Sequence, residues 1–178
     1  VNRSRVWTVL SLVIVCVVAA VALAQVYGVT KSTIEKQAAD ALESSLRSVL
    51  PAAATFEEAE SATVWLGRAA DGSLAGIVFK VAPRGYGGPV PVVVGLDTAA
   101  RVIAVSVGAG GMKETPGLGM KAQEEWFRVQ FAGKAGDEVK LKRDGGTVDA
   151  ISAATITSRA VASGVREGIE KYAHHLRP

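Results

Sequence analysis

The chain has 178 residues, room for one ordinary domain and one extra element. Its net charge is only +3, its basic residues are scattered and aromatics make up 6%, which gives nucleic-acid binding little support. Half of the residues (49%) are hydrophobic and mean hydropathy is +0.27, an excess concentrated in one segment.

That segment is VWTVLSLVIVCVVAAVALAQVYGVT, between Arg5 and Lys31, and it carries no charge. A helix of roughly 20 such residues crosses the ~30 Å hydrocarbon layer. Trp7 to Tyr27 therefore reads as a transmembrane helix with an aromatic residue at each interface. The alternative is a cleaved signal peptide, with RSR as the basic start and ALAQ as the cleavage site. Against it, the apolar run exceeds the ~7–15 residues of a usual signal core and continues past ALAQ through Tyr27. A lipoprotein is disfavoured because Val15, not a small residue, precedes Cys16. Arg3 and Arg5 stand without acids before the helix, whereas Lys31 and Lys36 mix with Glu35 and Asp40 after it. The positive-inside rule then puts the N-terminus in the cytoplasm and the remainder outside, in the periplasm of a two-membrane bacterium.

Residues 31–60 follow with Ile34, Ala38, Leu42, Leu46 and Val49 at helical spacing, ended by Pro51. Strands come next. ATVWLGRA and LAGIVFKVA flank a turn at ADGS, and VPVVVGLD and RVIAVSVGA flank one at TAA. APRGYGGP is a Gly/Pro loop between them. MKAQEEWFRVQFAG predicts a short helix with Trp126, Phe127, Val129 and Phe131 as apolar contacts. A third hairpin is expected around RDGG, and residues 158–176 close as a helix with Val161, Val165, Ile169 and Tyr172 on one stripe. The expectation is an α+β fold: an antiparallel sheet with packed helices behind an N-terminal transmembrane helix. Its parts are an anchor at 1–29, a connecting helix at 30–55 and an outer domain at 56–178. The only cysteine lies in the apolar run, so the outer domain has no disulfide and no cysteine metal site. His174 and His175 read as tail residues near a helix end, and no metal ligand set is expected.

Two loops carry the chemistry. GAGGMKETPGLGMK, residues 108–121, joins a strand to a helix, and its glycines let backbone approach a ligand closely. It reads equally as a flexible connection. DAISAATITSRAV, residues 149–161, crowds Ser152, Thr155, Thr157 and Ser158 before the last helix. Thr155, Thr157 or Ser158 can each cap that helix. A helix N-terminus also favours a phosphate, and Ala153 and Ala154 keep the approach open.

DAISAATITS resembles the covalent flavinylation motif Asp-x-x-Ser/Thr-Gly-Ala-Thr of the FMN-binding domain family, and KETPGLG resembles that family's other hallmark loop. With one N-terminal membrane helix, the chain is similar to the G subunits of Rnf electron-transport complexes. It also resembles the related C subunits of sodium-translocating NADH:quinone reductases. The resemblance spans roughly residues 6–175. It implies FMN held by a phosphoester to Thr155, made by a dedicated FMN transferase that uses FAD and Mg²⁺. It implies that Asp149, Ser152 and Ala154 belong to the sequence that transferase reads. Glu114, Thr115, Pro116, Gly117, Leu118 and Gly119 should line the flavin pocket, with Thr157 and Ser158 near the phosphate. Two departures stand out. The motif glycine is Ala153, which disfavours positive φ, and a frequent histidine before the glutamate is Met112, a thioether able to pack on an aromatic ring.

The implied function is one-electron transfer between membrane-embedded redox subunits, on a path linking reduced ferredoxin and NAD⁺ with pumping of Na⁺ or H⁺. The chain has no NAD fingerprint and no cysteine cluster, so it needs the other subunits of such a complex. The rivals are a flavoprotein subunit of a sodium-translocating quinone reductase and an anchored scaffold without flavin. A hydrolase has little support, since no histidine is placed near Ser152.

Overall fold

The structure is a computed structural model that describes residues 3–176, with side chains from Val6 onward. Arg3 and Arg5, on which the orientation rests, have side chains outside the described residues. Contacts divide the chain into two units, 1–40 and 41–178. The first lies within helix α1 (Arg3–Val49), whose richest window has a mean hydropathy of 2.8. By length and composition that helix can cross a membrane. Its large apolar side chains from Val6 to Val29, Trp7 and Tyr27 among them, are exposed. The predicted membrane helix and connecting helix are one element, because nothing between Tyr27 and Lys31 breaks a helix. The chain leaves it just before Pro51, as expected.

The second unit is built on five antiparallel strands in sequential order: β1 (Thr55–Glu60), β2 (Val64–Arg68), β3 (Leu74–Val81), β4 (Val92–Leu96) and β5 (Val102–Val107). Both expected hairpins form, β2 with β3 and β4 with β5. Alternation along the strands sends side chains to opposite faces. Ile77, Phe79, Val92 and Val94 meet Val161, Val165 and Ile169 of helix α3 (Thr155–Tyr172) in one cluster. Trp65, Val78 and Val93 meet Leu46, Val49 and Leu50 at the end of α1 in another. Burial on both faces is why VPVVVGLD reads as a continuous apolar run rather than an alternating one. The α+β expectation thus holds.

Five local expectations change. Ile34 and Ala38 are exposed, and only the last turns of α1, from Leu42, pack. The acid-rich TFEEAE forms strand β1, a mostly exposed edge whose charges discourage further pairing. Residues 119–131 form a 3₁₀ turn, helix α2 (Glu125–Arg128) and a second 3₁₀ turn. There Phe127 and Phe131, four residues apart, are buried edge to face with centroids 5.5 Å apart, while Trp126 and Val129 point outward. No hairpin of strands forms around RDGG. Its apolar Val139, Leu141, Val148 and Ile151 instead pin two 3₁₀ turns to the core, with one isolated bridge between Leu141 and Val148. Helix α3 begins three residues earlier than predicted and gives way at Ala173 to a 3₁₀ turn.

The end of α1 rests on the sheet where a side chain is missing. A Cβ on Gly95 would stand 2.1 Å from the Val49 carbonyl oxygen. We expect Gly95→Ala to lower stability by roughly 1–3 kcal/mol, the cost of overpacking, read from thermal or urea unfolding. An unchanged midpoint would show that this helix end is free to lift.

Candidate functional site

A cavity of about 460 Å³ opens between three segments: the 82–91 loop, the 108–121 loop and the start of α3. That volume lies within the ~300–1,000 Å³ of small-molecule sites. Its lining includes Glu114, Thr115, Leu118, Gly119, Ala154, Thr155 and Thr157, all singled out from sequence. Tyr86, Ala153 and Ile156 complete it.

The walls are tied together by one carboxylate. Glu114 is buried, and it accepts a hydrogen bond from the Gly87 N–H at 3.2 Å and another from the Thr157 hydroxyl at 3.0 Å. Gly119 sits against both partners. A Cβ there would fall 2.3 Å from Glu114 Oε2 and 2.9 Å from Thr157 Oγ1. Thr115–Leu118 forms a turn closed by the Leu118 N–H to the Thr115 carbonyl, with Pro116 second and Gly117 third at φ 75°. Proline followed by a positive-φ glycine is the signature of a type II turn. Pro116 and Gly117 are exposed outside the cavity lining and shape the loop instead of touching its contents.

The four hydroxyls have different fates. Ser158 is fully buried: it donates to the Ala154 carbonyl and accepts from the Ile151 N–H, both at 2.9 Å. Thr157 is committed to Glu114. Ser152 is exposed and outside the lining. Thr155 is half-buried in the cavity wall, and its hydroxyl has no hydrogen-bond partner among the described residues. Capping by Thr155, Thr157 or Ser158 does not occur. The cap position is Ala154, which has no side-chain oxygen. The first α3 amide with a backbone acceptor is that of Ser158, so the N–H groups of Thr155, Ile156 and Thr157 have no protein acceptor among the described residues.

The turn before α3 is closed by the Ala154 N–H to the Ile151 carbonyl at 3.0 Å, and Ala153 holds φ 59° within it. At the position of the motif glycine, alanine thus takes a left-handed conformation, at a cost of roughly 1–2 kcal/mol. Asp149 stands aside, its carboxylate 2.8 Å from Lys142 Nζ and its N–H donating to Gln130 Oε1 at 2.7 Å. Nearby, a hydrogen bond from the Arg159 guanidinium holds the Asp144 carboxyl below its ordinary pKa and fixes the 142–147 turn to α3. Met112 packs on the main core and not in the cavity. Tyr86 escaped the sequence reading, although an aromatic among Gly85, Gly87 and Gly88 is a signal in itself: the loop presents it 73% exposed.

Residues 85–170, which contain every wall of the cavity, match the family described as FMN-binding domain. The chain is 33% identical to the G subunit of the Na⁺-translocating ferredoxin:NAD⁺ oxidoreductase complex of Acetobacterium woodii, across 92% of this chain and 89% of that one. It is 34% identical to the G subunit of the ion-translocating oxidoreductase complex of Stutzerimonas stutzeri, across 94% and 81%. The chain belongs to the family of G subunits of ion-translocating oxidoreductase complexes. It therefore carries that family's FMN-binding domain. Its fold is that of the C subunit of the Na⁺-translocating NADH-quinone reductase from Parabacteroides distasonis, with a TM-score of 0.51 at 22% identity over 65% of this chain and 62% of that one.

The cavity fits the phosphate end of FMN on its own chemistry. Three unpaired amides at the positive end of an 18-residue helix meet an uncommitted hydroxyl. Two substitutions test the frame around them. Ala153→Gly should stabilise the protein by about 1 kcal/mol, because glycine meets φ 59° without strain; an equal or lower melting temperature would contradict this. Thr157→Val should cost roughly 1.5–3 kcal/mol in urea unfolding, the worth of a hydrogen bond to a charged group, since it leaves the buried Glu114 carboxylate one donor short.

Proposed function

We propose that this chain is the flavin-carrying electron-transfer subunit of a membrane-bound, ion-translocating ferredoxin:NAD⁺ oxidoreductase complex, with FMN joined covalently to Thr155. One observation carries the reading. Of the hydroxyls crowded before α3, only that of Thr155 both lines the cavity and is free of hydrogen bonds among the described residues. The N–H groups of Thr155, Ile156 and Thr157 at the start of α3 would hold the phosphate of a group attached there. The helix terminus then stabilises the phosphate charge in the first turn, where such an effect is strongest.

The bond is made in maturation by an FMN transferase. The Thr155 oxygen attacks the FMN phosphorus of FAD, the pyrophosphate bond breaks, AMP leaves and the hydroxyl proton is released. Asp149 and Ser152, both exposed beside the turn, are where that enzyme can grip. The bound group supplies one-electron chemistry; the protein supplies position and environment. Glu114 and Thr115 would line the ring's pocket with Leu118, Gly119 and Tyr86, and Glu114 does so as a buried carboxylate with neutral donors only.

The other subunits of the complex are the electron donors and acceptors. The N-terminal helix anchors the chain in the membrane with the N-terminus in the cytoplasm and the domain from about residue 56 outside, in the periplasm where there are two membranes. Arg3 and Arg5 ahead of the apolar run support that orientation.

The test is the intact mass of the chain extracted from its native membrane. We expect the chain mass plus one FMN less one water, and yellow fluorescence that survives denaturation. Thr155→Val should lose both, and Thr155→Ser should keep them. A native chain of unmodified mass throughout overturns the reading.

A further inference from the structure

Away from the cavity, the far end of α3 gathers the chain's two histidines beside the edge of the sheet. His174 and His175 lie in the 3₁₀ turn Ala173–Leu176, their rings 4.1 Å apart between centroids and inclined by 34°. Glu60, the last residue of β1, faces them, with Oε1 3.1 Å from His175 Nε2. One ligand atom from each of the three residues lies within 4.8 Å of the others. A second observation concerns the proton. His174 Nδ1 is 2.8 Å from the Lys171 carbonyl oxygen. A carbonyl only accepts, so His174 Nδ1 is the donor and Nε2 is the nitrogen left for an ion; by the same rule His175 Nε2 donates to Glu60, and an ion bound there takes the place of that hydrogen, which is released. Metal-binding histidines are oriented in this way by their outer partners.

We propose that Glu60, His174 and His175 form a binding site for a divalent transition-metal ion, Zn²⁺ foremost. Two imidazoles and a carboxylate are a donor set that suits Zn²⁺ and not Mg²⁺ or Ca²⁺, which take oxygen ligands. Around a tetrahedral ion with ligand atoms at about 2.0–2.2 Å, those atoms lie about 3.3–3.6 Å from each other, so the widest present spacing must close by about an ångström. Side-chain rotation supplies that, since Glu60 and His175 are 42% and 20% exposed in their side chains. Three protein ligands leave the fourth tetrahedral position to water.

The site joins parts of the chain 115 residues apart. β1 is an edge strand, paired only with β2 among the described residues. An ion held by Glu60 and the histidines clips that strand to the end of α3, and so stabilises the fold by linkage. Lys171 acts on Glu60 from the same helix end, and an incoming dication works against its charge. The affinity is that of a half-exposed clip, not of a buried structural centre.

The experiment is calorimetric titration of the full-length chain in detergent with Zn²⁺, with melting temperature as a second readout and Mg²⁺ as the control ion. We expect one Zn²⁺ per chain, a higher melting temperature with Zn²⁺ and no response to Mg²⁺. Glu60→Gln and His175→Gln should each weaken Zn²⁺ binding at least about tenfold, the smallest loss typical of even an outer-shell change. Binding is measured below each variant's own melting temperature, so a destabilised variant still gives an answer. No saturable binding at one ion per chain overturns the proposal. Undiminished affinity in Glu60→Gln also overturns it, because the histidine pair would then be binding alone. Neither readout depends on the flavin.

Discussion

The architecture around the cavity depends on the buried hydrogen bond from Thr157 to Glu114. It joins residues 43 positions apart and, with the Gly87 N–H on the other carboxylate oxygen, brings two loops and the start of α3 to one point. No basic group lies within ion-pair distance of Glu114 among the described residues. A carboxylate without a counter-charge is costly to bury unless its oxygens are hydrogen-bonded. Two donors meet that need only if the loops come close, and the missing side chain at Gly119 lets them. The glycines of this loop are thus not slack: one allows a close approach, and another, Gly117, takes a turn conformation that few residues accept.

The same point explains why α3 starts without a cap. A capping hydroxyl would satisfy one of the free amides and add about 1 kcal/mol of stability. The sequence has hydroxyls at hand and uses them elsewhere: Ser158 on the preceding turn, Thr157 on Glu114. Ala153 adds a left-handed residue where glycine would be easier. Strain and unmet hydrogen bonding in one short stretch mark a site that gives up stability for a ligand.

Much of this was legible in the residues, and what was not has identifiable causes. Val92–Leu96 declares a strand as a short continuous apolar run, and Val161, Val165 and Ile169 declare a helix because one buried face imposes its period on them. TFEEAE did not declare itself, since an exposed edge strand has no apolar face to show. Around RDGG a turn signal between apolar residues was present, but those residues served to anchor 3₁₀ turns. The motif loops pointed to the cavity, yet Pro116 and Gly117 act through backbone shape and lie outside its lining. Tyr86 was hidden because aromatic residues are ordinarily read as core, and only its glycine neighbours mark it as displayed. Capping was the simpler reading of Thr155 and failed because the helix begins at Thr155 itself, which leaves Ala154 at the cap position.

The exposure of the rim bears on why a covalent tether suits this site. Tyr86, Ile156 and Leu118 are 73%, 53% and 39% exposed, so the cavity mouth is bordered by side chains that cover little. Tight non-covalent sites bury about 70–90% or more of a ligand's surface. A flavin enclosed to that degree is also kept from a partner's redox group. An open mouth allows close approach, but weakens retention. The proposed bond to Thr155 would separate the two demands. Binding of the ring would become an intramolecular event, with an effective concentration in the millimolar range for short flexible links, so a shallow pocket would suffice to keep it seated. The first amides of α3 would then need only to orient the phosphate, and the mouth could stay open for electron exchange.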